Sequence, residues 1–96
     1  MAEVRLSPAA EDDLDGIFDY TVQQWGLEQA VHYTQLIEQT CTALAEARLP
    51  AQDMSHVRPG YWRYRVERHA IYFRVEPYGI AVIRILHGRM DAPRHV

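Results

Sequence analysis

Ninety-six residues, 48% apolar and 24% charged, suffice for one domain with one core, and no apolar run reaches the roughly 18–20 residues of a membrane span. The net charge of −3 hides a split: residues 1–50 carry nine acids against two arginines, residues 51–96 eight arginines against four acids, and lysine is absent. The overall charge argues against a general polyanion binder, a single cysteine (Cys41) excludes an intrachain disulfide, and an N-terminus with neither basic nor apolar leader character makes the cytoplasm the expected compartment.

A short strand opens the chain, with Val4 and Leu6 alternating against Glu3 and Arg5. Ser7-Pro8 then reads as an N-cap followed by proline at the first helical position, where its missing N–H costs nothing. Glu11, Asp12, Asp13 and Asp15 suit the positive end of that helix, and Ala10, Leu14, Ile17, Phe18, Thr21 and Trp25 form its apolar stripe. Gly26 is the expected stop. A second helix runs from Leu27 to about Arg48 on a stripe of Ala30, Tyr33, Ile37, Cys41 and Leu44, and Pro50 bars its extension. Residues 51–60 form a connector ending in the turn signal Pro59-Gly60. Three strands follow, residues 61–66, 70–76 and 80–86, joined by tight turns at Glu67-Arg68 and Pro77-Tyr78-Gly79 that require antiparallel neighbours. The order β-α-α-β-β-β predicts an α+β fold, one domain over residues 1–96, with a helical hairpin on one face of a small antiparallel sheet.

Alternation along strands sorts the side chains. Trp62, Tyr64 and Val66, Ile71, Phe73 and Val75, and Ala81, Ile83 and Ile85 are expected to meet the helices. The opposite face then holds Arg63, Arg65, Arg74 and Arg84 among Tyr72, Val82 and Leu86. Either a partner segment covers this mixed face, or residues 89–96 fold back over it. The charge split is open in the same way: it fits a charged partner for the second half, or attraction between the halves. Arg84 and Arg89 either meet partner carboxylates or pair with acids of the first helix, and His87 either titrates at a site or caps the strand end. Trp25 and Trp62 read as core or seam residues, and Cys41 as a small core hydrophobe. The five histidines show no ligand spacing with cysteine or acids, so no metal or cofactor is expected.

Several stretches together resemble the ParE toxins of the RelE/ParE superfamily: Leu6-Ser7-Pro8-Ala9-Ala10, Asp13-Leu14-Asp15-Gly16-Ile17, Trp25-Gly26, Arg58-Pro59-Gly60-Tyr61, residues 68–75, and Arg84-Ile85-Leu86-His87-Gly88-Arg89-Met90-Asp91. Their order and spacing, over about nine-tenths of the chain, carry the likeness. The resemblance implies the fold just read. It also implies a type II toxin that inhibits DNA gyrase and is neutralised by a ParD-type ribbon-helix-helix antitoxin in a hetero-oligomer, touching operator DNA only through that antitoxin. Target contacts are then expected at Arg84, His87 and Arg89, and antitoxin contacts at Leu14, Phe18, Tyr72, Val82 and Leu86. RelE-type relatives are instead ribosome-dependent mRNA endonucleases, for which Arg65, Arg84 and His87 are the candidate catalytic groups, although Gly88 stands where tyrosine-ended members carry an aromatic. A non-toxic binding module is the third reading.

Overall fold

The computed structural model describes residues 2–88, 90 and 92–96. Its elements are β1 (Glu3–Leu6), α1 (Pro8–Trp25), α2 (Leu27–Ala45), β2 (Gln52–Asp53), β3 (Tyr61–Val66), β4 (His69–Glu76), β5 (Gly79–His87) and the short α3 (Ala92–His95). The five strands form one sheet in the order β1-β5-β4-β3-β2. The expected hairpins β3–β4 and β4–β5 are antiparallel, but β1 pairs with β5 in parallel, so the sheet is mixed. The helical hairpin lies against β1 and β5.

Local chemistry fixes the helix ends. Ser7 Oγ accepts the Ala10 N–H at 3.0 Å, the expected N-cap, and donates to the Ile83 carbonyl at 2.6 Å, pinning the start of α1 to β5. Gly26, at φ 96°, ends α1 and starts α2: its N–H donates to the Val22 carbonyl while its own carbonyl receives the Ala30 N–H. Helix α2 stops at Ala45, short of the expected Arg48, because the chain turns left-handed at Ala47 (φ 57°). There Arg48 N–H donates to Ala43 O at 2.9 Å and Ala47 N–H to Leu44 O at 3.0 Å, the paired bonds of a Schellman ending. Alanine pays a steric penalty in this conformation that glycine avoids. Ala47→Gly should therefore stabilise the fold by about 0.5–1 kcal/mol, net of the extra freedom glycine gives the unfolded chain. A urea-denaturation midpoint that stays put or falls would refute this.

The sheet carries apolar clusters on both faces. Under the helices, Ile17, Ile37, Cys41, Ile71, Phe73 and Ile80 form the main core with Val66, Val82 and Ile85, and Trp62 and Tyr64 pack against it. On the outer face Met54, Ala70, Tyr72 and Leu86 form a smaller cluster, flanked by Val57, Tyr61 and Val96.

This arrangement corrects the parity reading of β5. Tyr72 pairs with Arg84 but Phe73 pairs with Val82, so Ile83 is the extra residue of a β-bulge. The bulge resets the alternation: Ile80 and Val82 face the helices before it, Ile85 faces them after it, and Arg84 and Leu86 point outward as expected. Val82, expected on the outer face, is fully buried in the helix-side core at 0% exposure. Leu86 does face outward, yet it is only 1% exposed and Tyr72 is buried beside it. Met54 and Val57 of the connector and Val96 of the tail pack around them, so folding back of the chain is what closes this face.

Candidate functional site

A groove of about 1240 Å³ lies between the helical hairpin and the end of the sheet. Its α1 wall holds Asp12, Asp13, Gly16, Ile17, Tyr20 and Trp25. Helix α2 contributes His32, Tyr33 and Leu36, and the sheet end adds Arg68, His69, Ile85 and His87. Trp25 is 63% exposed and Tyr20 60%, with Leu36 also open to solvent. The expectation that Trp25 is a core or seam residue is thus corrected: the last turn of α1 carries it clear of the main core, whereas Trp62 does pack against that core. Large exposed aromatics beside an apolar cleft are the usual mark of a protein-contact surface.

Asp13 lies on one wall of the groove and joins the helix to the strand beneath. Its Oδ2 accepts Arg84 Nε at 2.7 Å and the Ile85 N–H at 2.9 Å, and its Oδ1 accepts Arg84 Nη2 at 2.8 Å. β1 pairs with β5 only as far as Leu6–Val82. Beyond that point the Ser7 N–H, the Ser7 hydroxyl and the Asp13 carboxylate take over as partners for Val82 O, Ile83 O and Ile85 N–H. Arg84 Nη1 donates to the His95 carbonyl at 3.0 Å. The alternatives left open for Arg84 resolve to an internal pair with the first helix. All three of its guanidinium nitrogens are engaged within the chain.

At the far end of the groove Tyr33 Oη lies 2.7 Å from His69 Nδ1, and the His69 and His87 rings meet edge to face at 5.4 Å between centroids. Burial, then the nearby His87 and Arg68, push the His69 imidazole down to about 4. The imidazole is therefore neutral at physiological pH; the Tyr33 hydroxyl also donates to the Val66 carbonyl at 3.3 Å, and burial in turn raises the Tyr33 phenol. The unfolded chain takes this proton near 6.5 and the folded chain near 4, so stability is intact above 6.5 and drains away as pH falls through that window. Allowing for solvent at the half-buried ring, the loss should be about 1–2 kcal/mol. Urea titrations at pH 7 and pH 4.5 should show a larger drop for the wild type than for His69→Gln, and equal drops would remove His69 from the account.

The nuclease candidates lie on β3 and β5. Arg84 is committed to Asp13 and His95, Arg65 leans on Gly88, and His87 stands against His69. Arg89 lies outside the described residues. Of the expected antitoxin contacts, Leu14 packs partly buried against the main core and Phe18 is half-buried on α1, while Tyr72, Val82 and Leu86 are covered. Tyr20 and Leu36 went unread in the sequence; an aromatic lying off the apolar stripe of α1 was the available signal for Tyr20. Cys41 is buried, which pushes its thiol up to about 12 and leaves it unreactive at neutral pH. Among the described residues no three His, Cys, Asp or Glu side chains gather to hold a metal, and no helix is long and apolar enough to cross a membrane.

Residues 4–92 match the family model described as the ParE toxin of the type II toxin–antitoxin system, parDE. The chain belongs to the ParE toxin family. It is 36% identical over 96 residues to Toxin ParE1 of Caulobacter vibrioides, covering 100% of this chain and 99% of that protein. It is 38% identical over 89 residues to Toxin ParE of Escherichia coli, covering 90% and 84%. Among solved structures it is similar to one described as the chromosomal ParDE system from P. aeruginosa, with a TM-score of 0.75, 29% identity and coverage of 91% and 96%. A YoeB–YefM complex from Staphylococcus aureus shares the fold at a TM-score of 0.59 and 15% identity. The resemblance first read from motif order is thus the family itself, and the chain is a ParE toxin of a type II toxin–antitoxin system.

Proposed function

We propose that this toxin acts by binding rather than by catalysis, inhibiting DNA gyrase, and that a ParD-type antitoxin holds it inactive. The observation that carries the reading is the ParE family match across residues 4–92. The commitment of Arg84 to Asp13 supports a non-nucleolytic mode, since it withdraws one of the cations that RNA cleavage would need. In the cytoplasm the toxin and antitoxin form a hetero-oligomer, and operator DNA is contacted through the antitoxin alone.

Purified toxin should arrest supercoiling by gyrase, and added antitoxin should restore it. Unimpaired gyrase at large toxin excess, together with codon-linked mRNA cuts after induction, would overturn the reading in favour of an endoribonuclease.

The antitoxin segment lies in the groove, with Tyr20, Trp25 and Leu36 as its apolar contacts. Trp25→Ala should weaken antitoxin binding by about tenfold or more, the effect of losing a central aromatic anchor. Because the ring is exposed, thermal stability should scarcely change. Unaltered affinity by calorimetry would move the contact elsewhere.

A further inference from the structure

Arg84 projects from the outer face of β5, yet its guanidinium reaches two other elements. Nε and Nη2 hold Asp13 of α1, and Nη1 holds the His95 carbonyl at the end of α3. One residue further, the Val96 carbonyl receives Arg58 Nε at 3.0 Å while the Val96 side chain packs on the outer apolar cluster. Asp13 also lines the groove. A guanidinium is flat and rigid, so its donors cannot be re-aimed one at a time. If Asp13 turns away, the fork rotates, and the donor directed at His95 swings with it.

We infer that Arg84 is a positioning residue that couples the groove to the C-terminal tail, so that a partner cation drawing Asp13 into the groove releases residues 92–96 from the outer face of the sheet. The partner is one whose docking segment carries an arginine or lysine able to compete for the Asp13 carboxylate. The acidic first half of the chain, nine acids against two arginines over residues 1–50, favours such a segment. By linkage, the docked tail weakens that partner's hold on Asp13 to the same degree that the partner loosens the tail. Release withdraws Val96 from the cluster containing Tyr72 and Leu86, so one contact in the groove alters a second surface.

Hydrogen exchange read by mass spectrometry on the purified chain tests this without any partner. Asp13→Asn keeps an acceptor for the Ile85 N–H but loses the charge that orients the guanidinium. Exchange over residues 92–96 should rise by about tenfold or more while β4 stays as protected as in the wild type. Arg84→Lys provides the second variant: one ammonium can pair with Asp13 but cannot also reach His95, so the tail should loosen while α1 holds. Arg58→Gln, which cuts only the Val96 carbonyl contact, should loosen the tail without involving α1. Wild-type exchange of the tail in Asp13→Asn would overturn the coupling. So would a rise by one common factor in tail, α1 and β4, which is the signature of a plain structural brace. If Asp13→Asn does not fold, Arg84→Lys decides alone by the same comparison.

Discussion

Gly79→Ala should be among the most damaging single-methyl additions this fold can receive. Gly79, at φ 144°, is the first residue of β5 after the turn from β4, and Glu3 of β1 comes alongside it. A Cβ there would stand 2.1 Å from the Glu3 carbonyl oxygen and 2.6 Å from its nitrogen, both backbone atoms with no rotamer to escape into. Relief requires β1 to move, which breaks the bond from Glu3 N–H to the Tyr78 carbonyl and the first rung of the only parallel pairing in the described sheet. Steric strain and lost pairing together should destabilise the protein by about 3 kcal/mol or more. For a domain of this size that corresponds to a melting temperature lower by roughly 12–24 °C. Gly16→Ala is the matched control, since a Cβ at that helical position meets nothing within 4 Å and should help α1 by about 0.5–1 kcal/mol. Thermal melts followed by circular dichroism would separate the two, and a Gly79→Ala melt close to wild type would show that β1 yields without penalty.

Asp13→Ala should have the next largest effect. The substitution removes three acceptor contacts at once: two from the Arg84 fork and one from the Ile85 N–H. It leaves a mostly shielded guanidinium without its counter-ion, the two side chains being 23% and 15% exposed. An unpaired cation and an orphaned strand-edge N–H in partly buried surroundings together should lower stability by about 2–4 kcal/mol, solvent access keeping the figure below that of a fully enclosed pair. The double variant Asp13→Ala/Arg84→Met removes the stranded charge as well and should recover part of the loss. If the two single losses simply add, the pair is a bystander and the destabilisation belongs to the Ile85 N–H alone.

What was legible in the sequence was mostly local. Ser7-Pro8 announces the start of α1 because a hydroxyl acceptor and a pre-set φ act within a few residues, and Gly26 announces its end for the same reason. The order of ParE motifs was legible because it spans the whole fold. The bulge at Ile83 was not: Ala81, Val82 and Ile83 are all apolar, so alternation offers no contrast by which a slip of one residue could be noticed. The parallel partnership of β1 with β5 and the pairing of Asp13 with Arg84 both join residues more than seventy positions apart, and no periodicity reports on such closures. Two-residue β2 leaves no pattern at all. Trp25 was misplaced because a helical stripe gives the direction a side chain points, not how far the sheet extends beneath it.

The bulge has a further consequence for how this strand can vary. A strand covered on one side alternates between positions that tolerate polar residues and positions that do not. β5 is roofed by the helices on one side and by the outer cluster on the other, and its rhythm restarts at Ile83. Without that one residue the ladder would be regular, with Val82 still opposite Phe73 and Arg84 still opposite Tyr72, every side chain keeping its face. What the extra residue supplies is its carbonyl, which receives the Ser7 hydroxyl at the start of α1. Length at Ile83 thus serves the junction between β5 and α1 rather than the choice of which side chains face the core.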